Sequence, residues 1–254
     1  MVSLSPVASR FVLALGAGHL LLGVDADSAA IPGLAELPVV DLAGAASLAP
    51  DLVLVPAMPA AGDPAARELW DSGAQIAEFL PHSLEDVAAL CRTVGAQIAG
   101  AARAHQFDVD LGRPLALVGG ASSGQARPRV LAVTRLDPPE LAGGHSFETD
   151  LVEIAGGRSA THDLDEPRLA IPPERWAEFA PDLLLVVGAG EPTPSERLRA
   201  ERALPAGYRV AFFAFDRDFF WLGDAADDAR RLRALIEPLA HELGERARAA
   251  APGG

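Results

Sequence analysis

The pentapeptide Gly120-Ala121-Ser122-Ser123-Gly124 has the G-x-S-x-G spacing of a nucleophile elbow, where a strained strand-to-helix turn presents a serine for acyl transfer. The elbow needs a helix directly after the serine. Here Gln125-Ala126-Arg127-Pro128 leads into a strand-like run, which favours a linker turn. Gly188-Ala189-Gly190 follows an apolar run, as the opening of a dinucleotide fingerprint would. Glu191-Pro192-Thr193 stands where the third glycine belongs, and an acid there would repel a pyrophosphate. The histidines His19, His82, His105, His145, His162 and His241 are dispersed, with no i, i+4 pair. His82 and His145 fall near strand-to-helix loops, one in each half, where a shared cleft would gather them. A metal in such a cleft needs three or four converging ligands, and the bland reading is loop histidines. No acid, base or nucleophile converges, so the chain is expected not to be an enzyme, and no catalytic residue, metal ligand or cofactor is assigned.

The aromatic residues are more telling. Phe212, Phe213, Phe215, Phe219, Phe220 and Trp221 crowd a single short stretch in a chain with only 6% aromatic residues. Phe212 and Phe213 read as core strand. Asp216-Arg217-Asp218-Phe219-Phe220-Trp221 follows the carboxyl end of that strand, where open α/β sheets bind ligands. A loop mixing charge and aromatic rings suits a flat, polar-edged ligand. It equally suits a loop that packs onto its own lobe.

The elements that must position these residues come in two sets. Ala180-Pro181-Asp182-Leu183-Leu184-Leu185-Val186 echoes Ala49-Pro50-Asp51-Leu52-Val53-Leu54-Val55, and Val130-Leu131-Ala132-Val133-Thr134 echoes Val2-Ser3-Leu4-Ser5-Pro6 at nearly the same offset. Short apolar runs behind a turn signal fit parallel strands covered on both faces, and the shared offset predicts two similar α/β halves. In the first half, strands are expected over 2–5, 20–24, 52–55 and 75–80, a helix over 8–15, and a loop over 25–38. Pro56 to Pro64 forms a mouth loop, with Asp63 capping a helix that Pro64 opens. The chain is helical by period over 83–105. Gly112, Pro114, Gly119 and Gly120 argue against an unbroken helix over 106–126, which reads as a partly helical connector. In the second half, strands are expected over 130–134, 183–187 and 208–215, and a turn at 137–139. Helices are expected over 146–155, 173–179, 194–203 and 225–249, the last with Leu232, Leu235, Ile236, Leu239 and Leu243 inward. The domains are then 1–82, a helical connector 83–127, and 128–254.

A composition 50% apolar and 22% charged is globular, and a net charge of −14 argues against nucleic-acid binding. The single cysteine, Cys91, excludes an internal disulfide and falls on an apolar helical face with Leu84, Val87, Leu90 and Val94. The run Phe11 to Val24, after Arg10, superficially resembles a signal peptide, but Gly16, Gly18 and His19 interrupt it. It reads as folded structure, and no convincing export signal is found. No stretch is long and apolar enough to span a membrane.

In order along the chain, Val2-Ser3-Leu4-Ser5-Pro6, Leu15-Gly16-Ala17-Gly18, Leu22-Gly23-Val24, Pro50-Asp51-Leu52-Val53-Leu54 and Ser83-Leu84-Glu85-Asp86-Val87 resemble the cobalamin-binding proteins of ABC importers. So do Arg127-Pro128-Arg129-Val130-Leu131, Ala142-Gly143-Gly144-His145-Ser146-Phe147, Asp150 to Arg158, and Pro181-Asp182-Leu183-Leu184-Leu185. The resemblance implies an α/β fold of the class III periplasmic-binding-protein type: two similar lobes with parallel-type sheets, joined by a long linking helix, with a ligand held between them. It implies a corrinoid as ligand, a permease dimer as partner, docking by one carboxylate per lobe, and a periplasmic or extracytoplasmic location. Asp63 falls where the first docking acid would, and Glu191 or Glu196 where the second would. The strand-end loops nominate Ser5, Asp25, Met58, His145, Asp216, Arg217 and Trp221 for the ligand. This chain departs from the family at Pro56-Ala57-Met58 and near Asp165-Glu166-Pro167-Arg168, where tryptophans commonly hold the corrin, and carries Arg10 where an acid is usual. Related members carry haem, ferric siderophores or metal ions, and these stand as alternatives. A cytosolic ligand-sensing or interaction module of the same fold is a second reading. The chain is expected to be a monomer.

Overall fold

A computed structural model describes residues 1–121 and 124–250. Ser122 and Ser123 of the G-x-S-x-G pentapeptide lie outside the described residues, as do 251–254. The chain divides into two compact units, Met1–Pro81 with Glu85–Val109, and His82–Leu84 with Asp110–Gly254.

The first unit holds a four-stranded sheet in the order β2-β1-β3-β4, from β1 (Val2–Ser3), β2 (Gly23–Val24), β3 (Leu52–Val55) and β4 (Gln75–Glu78). All neighbours are parallel. All four residues of β3 are buried, as a strand covered on both faces requires. Its first four helices are short, and an oxygen-bearing side chain starts each one. Ser5 caps α1 (Pro6–Ala14), Asp25 caps α2 (Ala26–Ala29), Asp41 caps α3 (Leu42–Ala46) and Asp63 caps α4 (Pro64–Asp71). The Asp63 carboxylate accepts from the Ala65 N–H at 2.8 Å. Helix α2 corrects the loop expected over 25–38; the Asp25 cap nucleates it within a stretch that carries breakers only from Pro32 onward. The strand expected over 20–24 shortens to two residues, because Gly18–Leu20 closes a 3-10 turn first. Val2, Val53, Ala66 and Leu69 form the core on one face of the sheet. Phe11 meets Phe79 at 5.0 Å and Phe107 edge-on at 5.5 Å between ring centres.

Helix α5 (Leu84–Leu90) widens into a π turn at Cys91–Gly95, continues as α6 (Ala96–Ala99) and stops at Gly100, whose φ of 84° only glycine adopts without strain. Helix α7 (Ala101–Gly120) then runs unbroken through Gly112 and Pro114, and the division between the units falls inside it. The break therefore lies at Gly100, before the connector read as interrupted. Burial of Leu115 and Val118 outweighs the proline's missing hydrogen bond. The Arg233 guanidinium also donates to the last-turn carbonyls of Val118 at 3.3 Å and Ala121 at 2.9 Å.

The second unit holds β5 (Arg129–Leu136), β6 (Pro139–Ala142), β7 (Arg158–Ser159), β8 (Arg168–Leu169), β9 (Leu183–Gly188) and β10 (Val210–Ala214) in the order β10-β9-β5-β6-β8, with β7 beside the start of β5. β7, β9 and β10 are parallel members. β6 and β8 are antiparallel, and neither was expected: the turn at 137–139 closes a hairpin with β6. Both are short strands, and Pro139 stands first in its strand, where the missing N–H is tolerated. Helices α8 (Phe147–Ile154), α9 (Pro194–Ala203) and α10 (Ala225–Ala250) complete the unit. Leu131, Val133, Trp176 and Leu184 share one core cluster. α10 buries Leu232, Ile236 and Leu239, but Leu235, expected inward, lies at the edge of that stripe and is 43% exposed.

The duplication extends beyond the sequence echoes. Ala49 and Ala180, each before the Pro-Asp corner, are the only non-glycine residues with positive φ among the described residues, at 45° and 44°. Each corner leads to a strand, a loop, and a helix with a polar cap and proline first: Asp63-Pro64 and Thr193-Pro194.

Candidate functional site

Parallel pairing puts the carboxyl ends of β1, β2, β3 and β4 on one edge of the first sheet. From β1 the chain goes outward to β2 on one side, then to β3 and β4 on the other, so the switch point lies between β1 and β3. In the second unit it lies between β5 and β9. Open sheets bind ligands outside such points.

In the first unit this edge carries Ser5, Asp25 and Met58. Ser5 is buried and its hydroxyl accepts from the Ala8 N–H at 3.4 Å, so it supports the loop. Asp25 caps α2, and its N–H donates to the Ser3 carbonyl at 3.1 Å. Met58 is 47% exposed, and its N–H donates to the Glu78 carboxylate at 3.3 Å. Leu4, Asp25, Asp27, Val40 and Asp41 line a cavity of about 690 Å³ there. Below it the buried hydroxyls of Ser28, Ser9 and Ser3 form a chain. Ser3 donates to the Ser5 carbonyl at 3.2 Å, and the Ser9 hydroxyl lies 2.8 Å from that of Ser3 and 2.9 Å from that of Ser28. This chain ties β1, α1 and α2 together under the loops.

The second unit repeats the device at His145. Thr149 and Thr161 donate to the carbonyls of Gly143 and Ala142, both at 2.7 Å, and the Ser159 hydroxyl lies 3.1 Å from each threonine. Ser146 caps α8 through the Thr149 N–H and donates to the Gly143 carbonyl at 2.7 Å. Gly143-Gly144 lies against the segment 162–166: a Cβ at Gly143 would stand 1.7 Å from the Glu166 carbonyl oxygen. Gly143→Ala must displace backbone and is expected to destabilise the protein by roughly 3 kcal/mol, read as a lower urea midpoint at unchanged slope. Next to this turn, Glu148 is buried in the first turn of α8 and receives two hydrogen bonds from Arg168, at 2.8 and 3.1 Å. Arg168 also reaches Glu140 at 3.7 Å, and Glu140 pairs with Arg135 at 2.8 Å.

The β10 loop divides. Asp216 and Arg217 are exposed, and Arg217 sits 3.4 Å from Asp218. Phe220 is buried edge-on to Phe147 at 5.0 Å and Phe215 at 5.3 Å. Trp221, expected at the ligand, is 2% exposed. At that exposure the indole has little surface to offer a ligand, and Phe220 beside it is held by rings of its own unit.

The docking candidates differ in freedom. Asp63 caps α4. The Glu196 carboxylate closes a capping box, accepting from the Thr193 N–H and hydroxyl, both at 2.7 Å, and these bonds hold its pKa below the ordinary carboxylate value. The Glu191 side chain is 69% exposed and lies 3.3 Å from Arg197. Glu191 and Glu196 border an apolar pocket of about 380 Å³ that also includes Leu136, Val186, Ala200 and Phe212.

Cys91 is buried, and burial first, with Asp108 adding, pushes its thiol up to about 11. The folded state therefore disfavours the thiolate. Stability from this site is intact below the ordinary value of 9.0 and is lost as pH rises toward about 11. Native protein is expected to resist iodoacetamide at pH 8 and to lose more stability between pH 9 and 11 than Cys91→Ala does; equal alkylation of native and urea-unfolded protein would refute the burial argument.

Among the described residues, no group of three or more His, Cys, Asp or Glu could hold a metal ion, and no helix is long and apolar enough to cross a membrane. The hydroxyl chains, the Arg168–Glu148 pair and the pocket beside α9 escaped the sequence reading. Only the concentration of serines at 3, 5, 9 and 28 hinted at the first of these.

Two α/β units with mainly parallel sheets, linked through α7, define the fold of the helical-backbone, class III substrate-binding proteins of ABC importers. Solved structures of that class match nearly end to end. An ABC transporter substrate-binding protein from Listeria monocytogenes matches with a TM-score of 0.70 at 18% identity, covering 92% of this chain and 97% of that one. The periplasmic vitamin B12 binding protein BtuF of Vibrio cholerae matches at 0.66 and 17%, covering 93% and 95%. The periplasmic heme-binding protein RhuT from a Roseiflexus species matches at 0.63 and 22%, covering 94% and 98%. At these identities the likeness establishes the fold. No protein-family model matches the chain, and no curated protein matches it.

Proposed function

We propose that this protein is the ligand-binding component of an ABC importer, that it performs no chemistry, and that it carries a corrinoid through the carboxyl-end loops of its strands. The observation that carries this reading is the end-to-end likeness to importer binding proteins, one of which binds vitamin B12. Met58, Asp25, His145, Asp216 and Arg217 are the contact residues of the proposal, with Ser5 as their support. Asp63 on the first unit and Glu191 or Glu196 on the second meet the permease dimer. The protein works outside the cytoplasm as a monomer.

Haem is the second reading. Met58 is an exposed thioether, His145 is half-buried at a strand-end turn, and both side-chain types ligate haem iron. Ferric siderophores and metal ions come third.

A thermal-shift screen with cobalamin, cobinamide, haem, ferric siderophores and divalent metals tests the proposal. A ligand at 100 times its Kd stabilises the folded state by about 2.7 kcal/mol, which is readily seen as a rise in Tm. A rise with a corrinoid supports the proposal. A rise with haem alone, lost in Met58→Ala or His145→Ala, replaces the cargo. No rise with any of them moves the protein to a ligand-sensing or interaction role on the same fold.

A further inference from the structure

Helix α7 is weakest where the chain passes from one compact unit to the other. The division falls between Val109 and Asp110. Upstream the helix is anchored by buried Ala104 and by Phe107, whose ring meets Phe11 edge-on. Downstream it is anchored by buried Leu115 and Val118. No residue over 105–114 is buried, a stretch of about three turns. Helices in proteins draw most of their stability from packing, so this stretch depends on intrinsic propensity. Propensity is poorest here as well: glycine and proline are the two worst helix formers, and Gly112 and Pro114 stand almost side by side. No close approach calls for the glycine, since a Cβ there would meet nothing within 4 Å. Pro114 removes a donor from the hydrogen-bond ladder. Helix α10 supplies the contrast. Pro238 also lies inside it, but between buried Ile236 and Leu239, where packing holds the helix together.

We propose that residues 110–114 of α7 form a hinge: the helix unwinds there by about one turn, and the two units reorient about it as compact bodies. The chain has two states at this point. In one the helix is continuous. In the other the bonds around Gly112 and Pro114 open to water, while the anchors at Ala104, Leu115 and Val118 stay packed. Because 105–114 buries no side chain, opening exposes little apolar surface and each unit keeps its core. The hinge stands whatever the protein carries.

Hydrogen exchange of the full-length protein reads the opening. Amides over 111–116 should exchange faster than those over 103–107 and faster than those around Pro238. Gly112→Ala adds a methyl to open space and Pro114→Ala restores a donor, so both variants are expected to fold. From helix propensities, they should raise protection over 111–116 by about five-fold and on the order of a hundred-fold respectively. Spin labels at Glu68→Cys in the first unit and Glu245→Cys in the second, both exposed positions, read the reorientation, with the buried Cys91 left in place. The distance distribution should be broad in the parent and narrow in the double variant Gly112→Ala/Pro114→Ala. Uniform protection along α7 in the parent would overturn the hinge. So would fast exchange with a distance distribution that the double variant leaves unchanged, since that is fraying without reorientation.

Discussion

Trp221→Ala is expected to lower the unfolding free energy by about 4 kcal/mol, the loss typical of emptying a buried tryptophan site in a packed core. Trp221 is 2% exposed, and its neighbour Phe220 is locked against Phe147 and Phe215. Domain stabilities are only about 5–15 kcal/mol, so much of the native population would be at risk near physiological temperature. Urea unfolding followed by circular dichroism checks this. A midpoint within error of the parent would return Trp221 to the list of ligand contacts. Arg217→Ala, at an exposed position of the same loop, is the cleaner binding probe, since surface changes of this kind usually shift stability by no more than about 0.5 kcal/mol.

Arg168→Ala is expected to cost about 3–5 kcal/mol, because it leaves the buried Glu148 carboxylate without its bidentate partner. Glu140, 3.7 Å from Arg168, would add a second displaced acid. Arg168→Met combined with Glu148→Leu should recover most of the loss, since a matched apolar pair avoids burying charge. A double-mutant cycle in urea separates the pair energy from the desolvation left behind; single losses that simply add would show that the two side chains do not act together. The pair joins β8 to the first turn of α8, directly after His145, so Arg168→Ala should also loosen the Gly143-Gly144 turn.

Much of the architecture was legible in the chain itself. The echoed Ala-Pro-Asp corners placed β3 and β9, because a buried parallel strand needs a continuous apolar run and a turn before it. The caps Asp63 and Ser146 marked the starts of α4 and α8, since only an oxygen-bearing side chain satisfies the first free N–H groups locally. The two-unit fold followed from the repetition, and the strand-end placement of Asp25, Met58 and Arg217 followed from the order of elements.

Packing decided the rest. Whether the rings of the 216–221 loop face a ligand or their own core depends on partners far away in sequence, such as Phe147 for Phe220, and the loop's own composition allows both. Leu235 carries the same helical period as Leu232, yet only the latter is covered, because the width of the buried stripe is set by what packs against it. The antiparallel strands β6 and β8 are too short to show alternation; β6 forms through the hairpin with β5, and β8 borrows its hydrogen bonds from β6, distant in the chain. The buried Glu148 reads as an ordinary first-turn acid until Arg168, 20 residues on, closes over it. Local propensity and periodicity determined where this chain bends and which segments are strands or helices. Contacts between segments far apart in sequence decided which side chains are left at the surface to bind.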